Sequence, residues 1–214
     1  MDIRIKEAIR YLGYGRRAID EPTLALIHES FKKLDEIAEV KFVYRIFELS
    51  FLDMKTVQVK KLNINSSNLV KNLQSCRECI MFGITLGTEV DRMLQKYERL
   101  NIAKAVVFQA CAAAYLENEC DKLQNNLAEE LKNAGKYLRP RFSPGYGDFS
   151  ILCQKQILEM LDAPKRIGLT TTESCMMIPT KSVTAIIGIS DTNENCHKVG
   201  CEVCEKQDCI YRRS

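Results

Sequence analysis

The stretch CIMFGITLGT, residues 79–88, carries the clearest fold signal in the chain. Its first part is short, uncharged and almost wholly apolar, which is typical of a buried strand. Gly87 then breaks the run, and Thr88 can begin a helix that continues to about Tyr97. The stretch therefore predicts a strand in the core of the protein, followed directly by a helix.

Further strands and helices are interleaved with this strand without a regular alternation. Alternating or β-branched residues predict strands at 41–49, 56–60 and 182–190, with a short extended piece at 169–172. Apolar spacing predicts the other helices at 4–12, 21–37, 66–76, 102–133 and 150–162. Since this order is not a repeated βαβ unit, we expect an α+β fold, with a mostly antiparallel or mixed twisted sheet and flanking helices.

Composition limits the possible partners and the compartment. The net charge of +3 gives no support for a nucleic-acid or membrane-surface partner, and no apolar run approaches the roughly 20 residues of a membrane span. The charged N-terminus lacks the apolar block of a signal peptide, so we expect a cytoplasmic protein. In that compartment the ten cysteines should be free or metal-bound. With only His28 and His197 present, histidine-based zinc catalysis or a Ser-His-Asp triad has few places to form.

The last nineteen residues contain four cysteines in the spacing C-x4-C-x2-C-x4-C. This segment has little apolar content to order it, whereas four thiolates around one metal centre would do so. We therefore divide the chain into a domain at 1–190 and a metal-binding tail at 191–214, which holds either zinc or an iron–sulfur cluster. Free surface thiols are the alternative. The predicted ligands are Cys196, Cys201, Cys204 and Cys209.

The sequence RPRFSPGYGD, residues 139–148, is a candidate binding loop. Its prolines restrict the backbone and its glycines permit tight turns. Arginine can pair with a carboxylate through two parallel hydrogen bonds, and Tyr146 offers a flat face and a hydroxyl. The loop would suit a zwitterionic or aromatic ligand, although a rigid surface loop with solvated arginines explains the same residues.

Two acidic residues on the long predicted helix form a second candidate. Glu117 and Asp121 are four residues apart and so share one face. Glu117 also continues the stripe of small residues through Ala110 and Ala113, which places it at the edge of a packing face. A carboxylate there could hold a ligand's ammonium group. The alternative is a solvated helix face.

Several motifs together resemble the activation domain of cobalamin-dependent methionine synthase. They are RFSPGY at 141–146, IGLT at 167–170, TESCMMIP at 172–179, and the pair Ser182-Val183. The family has R-P-A-P-G-Y for the first motif, and a T-E-S-x-A-M-x-P segment leading into S-V for the others. Here Phe142 and Ser143 replace Pro and Ala, and the cysteine tail stands where the family has an aromatic segment.

The resemblance implies binding of S-adenosylmethionine, which the family presents to an inactive cob(II)alamin for methyl transfer coupled to one-electron reduction. By the family's pattern, Arg141 would contact the ligand's carboxylate and Glu117 would hold its amino group. Ser143, Gly145 and Tyr146 would line the ligand.

These features together predict a reactivation subunit of a split cobalamin-dependent methionine synthase, acting in methionine biosynthesis. Its partners would be a cobalamin-binding core protein of the synthase and a flavodoxin- or ferredoxin-like electron donor. One alternative is a reductive activator of another corrinoid methyltransferase, with an iron–sulfur centre in the tail. Another is a non-catalytic interaction module with a structural zinc clip.

Overall fold

A computed structural model describes residues 2–14 and 17–193 of the chain. The strands are β1 (Lys41–Phe51), β2 (Thr56–Val59), β3 (Leu62–Asn65), β4 (Glu78–Thr85), β5 (Tyr137–Leu138), β6 (Thr170–Thr171), β7 (Met177–Ile178) and β8 (Ser182–Ser190). The helices are α1 (Ile3–Tyr11), α2 (Glu21–Ile37), α3 (Ser67–Asn72), α4 (Thr88–Leu100), α5 (Ile102–Lys132), α6 (Cys153–Leu161) and α7 (Ala163–Ile167). The α+β prediction is confirmed.

The strand predicted from the apolar stretch lies near the middle of a six-stranded antiparallel sheet of order β3-β2-β1-β4-β8-β5. β4 pairs with β1 on one side and with β8 on the other, so that Ile80 lies between Ile46 and Ile187. Every residue of β4 after Glu78 is buried. β4 needs a long uncharged run because a strand pairs with each of its edges and a hydrophobic layer covers each of its faces.

The two faces of the sheet carry separate hydrophobic layers. Ile80, Phe82 and Ile84 of β4 belong to the core formed with α1, α2, α4 and α5. Cys79 and Met81, which alternate with them, belong to the core on the opposite face, formed with α3, α6 and α7. Because side chains alternate along a strand, β4 contributes to both layers, and β8 does the same through Ile187 on one face and Ile186 on the other. α5 and the loop after β5 together form the candidate site.

Four short elements, β3, β5, α7 and β7, were not predicted from the sequence, whereas β2 and β6 lie within the strand predicted at 56–60 and the extended piece predicted at 169–172. β2 and β3 are joined at Lys60-Lys61, where Lys60 has φ of 52°, so a turn that usually uses Gly or Asn is made by lysine. β5 has two residues, α7 has five, and the two strands of the β6–β7 hairpin have two each. Elements of this length are too short to show a period, which is why β3, β5, α7 and β7 were missed.

No helix in the described part of the chain is long and apolar enough to cross a membrane. The six cysteines within the described ranges form no disulfide with one another. The four tail cysteines predicted as metal ligands lie outside the residues that the structure describes.

Candidate functional site

The candidate binding loop begins as an extension of the sheet edge. Arg139 donates its backbone N–H to the carbonyl of Gly188 at 2.8 Å, in line with β5. Phe142 and Ile186 exchange two backbone hydrogen bonds, each 2.9 Å long. The Phe142 ring also stacks on that of Phe149, with 6.3 Å between centroids. These contacts hold the backbone at the start of the loop against β8, so the positions of its side chains are well defined.

A tight turn follows, and it displays Tyr146. The Tyr146 N–H donates to the carbonyl of Ser143 at 3.1 Å, and the Gly145 N–H donates to that of Phe149 at 2.7 Å. Gly145 has φ of +87°, a conformation that side chains other than glycine's rarely adopt. The Tyr146 side chain is 56% exposed, with its ring edge-on to Phe142 at 5.8 Å. The turn therefore presents an aromatic face to solvent.

Asp148 anchors the far end of the loop to the N-terminus of α3. Its carboxylate accepts hydrogen bonds from the Ser66 hydroxyl, from the Ser67 N–H at 2.8 Å and from the Asn68 N–H at 3.2 Å. The two amides are among the N–H groups that a helix leaves unpaired at its start, where a negative charge is also favourable. Gly147 allows the close approach, since a Cβ there would lie 2.6 Å from the Asn68 Nδ2.

We expect Asp148→Ala to destabilise the fold by about 1 kcal/mol, as loss of a helix cap does. Desolvation acts to raise the pKa of Asp148, but the hydrogen bonds from the Ser66 hydroxyl and the Asn68 and Ser67 amides outweigh it and hold the pKa below its usual value. The stabilisation is therefore present above the unfolded pKa and is lost as pH falls through the folded value.

Thermal unfolding measures this effect. The variant should melt roughly 2–4 °C below wild type at pH 7, and the difference should shrink below about pH 4. Glu98→Gln, which removes an acid from α4, is the matched control. An equal Tm for Asp148→Ala and wild type at pH 7 would contradict the anchoring role.

The Arg141 side chain joins the loop to α5. Its Nη2 donates to the Glu117 Oε2 at 3.1 Å and to the Asp121 Oδ1 at 2.7 Å, and its Nη1 donates to the Gln124 Oε1 at 3.0 Å. The three acceptors are at spacings of four and three residues, so they occupy one face of the helix. The structure thus brings Arg141 together with Glu117 and Asp121, the acidic pair singled out from the sequence, and adds Gln124, which the prediction had not included.

We call this group the Arg141 cluster; it consists of Glu117, Asp121, Gln124 and Arg141. Its charges do not cancel. One guanidinium and two carboxylates give a formal sum of −1. Burial acts to lower the pKa of Arg141, but the neighbouring Cys120, Asp121 and Glu117 outweigh it and raise the pKa. The guanidinium is 19% exposed, against 34% for Glu117 and 52% for Asp121. The cluster is therefore a partly shielded surface site with a permanent cation and acids beside it.

Other residues suggested by the sequence lie elsewhere. Arg139, the second arginine of the loop, is buried and its Nη2 donates to the carbonyl of Gln74 at 3.1 Å, so it supports the fold. Met177 accepts a hydrogen bond at its Sδ from the Gln154 Nε2 at 3.4 Å and packs against the core on that face of the sheet. Met176 is 60% exposed beside the turn of the β6–β7 hairpin.

Two residues that shape the candidate site were not singled out from the sequence. Gln124 lies seven residues after Glu117, a spacing that keeps it on the same helix face, so the periodicity of α5 could have revealed it. Asp148 contacts residues about 80 positions earlier in the chain, and no local pattern carries that information. Within residues 2–14 and 17–193, no group of three or more His, Cys, Asp or Glu side chains is arranged to hold a metal.

Comparison with known proteins identifies a family and a similar solved structure. Residues 45–212 match the family model described as "Vitamin B12 dependent methionine synthase, activation domain". Among solved structures, the chain is similar to "Crystal Structure of the MetH Reactivation Domain bound to AdoHcy", with a TM-score of 0.61 and 16% identity over 86% of this chain and 75% of that one. At that identity the likeness shows the fold alone. No curated protein sequence matches the chain.

Proposed function

The chain belongs to the family of vitamin B12-dependent methionine synthase activation domains, and from that premise we propose that it binds S-adenosylmethionine and supports reactivation of a cobalamin carried by a partner. The observation that carries this proposal is the contact between Arg141 and Glu117. The methionine part of the ligand bears a carboxylate and an ammonium group close together. A guanidinium and a carboxylate whose nearest atoms lie 3.1 Å apart offer a complementary pair of charges.

The neighbouring loop fits the adenosyl part of the same ligand. Tyr146 presents a ring on which a base can stack, and Gly145 has no side chain to obstruct it. Ser143 contributes a hydroxyl that can donate or accept a hydrogen bond. These three residues and the Arg141 cluster lie on one short segment and the helix that it contacts. The solved relative of this fold is described as bound to AdoHcy, the product that remains when S-adenosylmethionine gives up its methyl group.

We assign the cobalamin to a separate core protein of methionine synthase, whose corrin would receive the methyl group. Reactivation also consumes one electron, so a flavodoxin- or ferredoxin-like donor completes the proposed set of partners. In this arrangement the chain's own residues bind and orient the methyl donor. We assign the chain to the reducing cytoplasm, a compartment in which cysteines such as the six within residues 2–14 and 17–193 stay out of disulfides.

We further propose that the cysteine tail holds one metal centre. The chemistry of the donor set supports this, because four cysteines within fourteen residues match the ligand number of structural zinc and of iron–sulfur clusters. Zinc would order the tail, and an iron–sulfur cluster would also supply a low-potential electron. The proposed ligands are Cys196, Cys201, Cys204 and Cys209.

A complementation assay tests the proposed function. A cobalamin-binding fragment of a methionine synthase that lacks its own activation domain is incubated with this chain, titanium(III) citrate and methyl-labelled S-adenosylmethionine. We expect label to reach the corrin only when the chain is present, and Arg99→Ala, an α4 variant, to behave as wild type. Absence of transfer despite tight binding of the donor would restrict the chain to ligand binding and overturn the reactivation role.

Glu117→Gln isolates the charge of one ligand-facing group. Because glutamine has nearly the same shape, packing is kept while a charged acceptor becomes neutral. We expect S-adenosylmethionine to bind about fivefold more weakly, which corresponds to roughly 1 kcal/mol. Calorimetric titration measures the change, with Glu119→Gln as control because that carboxylate pairs with Lys122. A large fall in Tm with unaltered affinity would instead make Glu117 a structural partner of Arg141.

A further inference from the structure

We propose that Asp121, in the free protein, occupies the position on Arg141 that a ligand carboxylate takes. The ligand must displace Asp121 in order to bind, and this competition lowers the affinity for the ligand. This inference rests on the proposed function, because it assumes that Arg141 receives the carboxylate of an S-adenosyl amino acid. The observation behind it is the crowding of one guanidinium nitrogen by two acids. Nη2 donates to Asp121 at 2.7 Å and to Glu117 at 3.1 Å.

Because of the geometry of a guanidinium, this crowding limits how a ligand carboxylate can bind to Arg141. A carboxylate binds arginine most strongly through two parallel hydrogen bonds, made either to Nη1 and Nη2 or to Nε and Nη2. Both arrangements use Nη2, which has only two N–H groups. Since Glu117 and Asp121 already accept from that nitrogen, an incoming carboxylate can bind in this way only if one of them leaves.

Asp121 is the acid that can leave. Its side chain is 52% exposed against 34% for Glu117, so water can replace the hydrogen bond that Asp121 gives up. Glu117 is the group assigned to the ligand's ammonium, and it gains a partner when the ligand binds. The short Asp121 contact therefore mimics the ligand's carboxylate in the free protein. Ligand binding exchanges one carboxylate for another on the same guanidinium.

The test uses S-adenosylhomocysteine, whose ammonium and carboxylate sum to zero net charge, so that a change in the protein's overall charge has little effect on binding. Affinity is measured by calorimetry for wild type, Asp121→Asn and Asp121→Ala. Glu130→Gln removes one negative charge from the same helix, nine positions further on, and is the matched control. Circular dichroism confirms that each variant is folded.

We expect both Asp121 variants to bind about three- to tenfold more tightly than wild type, with Glu130→Gln unchanged. Binding by an Asp121 variant alone, with none measurable for wild type, would support the same conclusion more strongly. Unchanged or weaker binding by both variants, when wild-type binding depends on Arg141, would overturn the role of Asp121 and leave the proposed function intact. Failure of wild type and of both variants to bind would overturn the two together.

Discussion

Arg141→Ala is expected to weaken S-adenosylmethionine binding by roughly 10- to 150-fold, the largest effect of any single change in the site. A charge-assisted hydrogen bond to a ligand contributes about 1.5–3 kcal/mol, and that contribution is lost. The substitution also leaves Glu117 and Asp121 without their shared cation, so the ligand's carboxylate would approach two acids. Calorimetric titration of the variant and of wild type measures the change.

Two further variants make this result interpretable. Arg141→Lys keeps the charge but loses the planar fork, so its affinity should lie between those of wild type and of Arg141→Ala. Arg99→Ala removes a cation from α4 and should bind as wild type does. If Arg141→Ala binds normally, the ligand lies elsewhere on the protein and the Arg141 cluster supports the fold only.

The second large effect is expected in the tail, where Cys204→Ser should reduce the metal content from about one equivalent to a small fraction. A four-sulfur site that loses one thiolate has an incomplete coordination shell, and the free energy of metal binding is also what would fold such a segment. Elemental analysis after anaerobic purification measures this directly. Residues beyond about 191 should also become sensitive to limited proteolysis while the preceding part stays intact.

Cys153→Ser is the matched control, because Cys153 is a free thiol on α6. It should leave the metal content unchanged. The optical spectrum of the wild-type protein distinguishes the two metals, since an iron–sulfur cluster absorbs in the visible range and zinc is colourless. Wild-type protein that carries neither zinc nor iron in stoichiometric amount would make the tail cysteines ordinary thiols.

The fold could be predicted where one element dominates a long stretch of sequence. The apolar run of β4 and the small-residue pattern of α5 each extend far enough for their period to be read, and both were placed within a few residues. The β2–β3 turn at Lys60 was missed because its left-handed backbone is adopted by a residue that gives no turn signal. The strands pair directly on both sides of this turn, with Val59 opposite Leu62.

In the candidate site, too, local spacing could be predicted from the sequence, but contacts between distant parts of the chain could not. Helical spacing placed Glu117 and Asp121 on one face, and family resemblance assigned Arg141 to the ligand. Only the structure shows that the two acids share one nitrogen of that arginine. The sequence also could not distinguish the role of Arg139 from that of Arg141, which lies only two residues away. The structure shows that Arg139 is buried and donates to the carbonyl of Gln74.

The most direct test of the account is a crystal structure of the chain with S-adenosylhomocysteine at saturating concentration. We expect the ligand's carboxylate within hydrogen-bonding distance of the Arg141 guanidinium, its ammonium at Glu117, and its adenosyl part against the loop at Ser143, Gly145 and Tyr146. Asp121 should have turned away from Nη2. Ligand bound at another surface, with Arg141 still donating to both Glu117 and Asp121, would contradict the account.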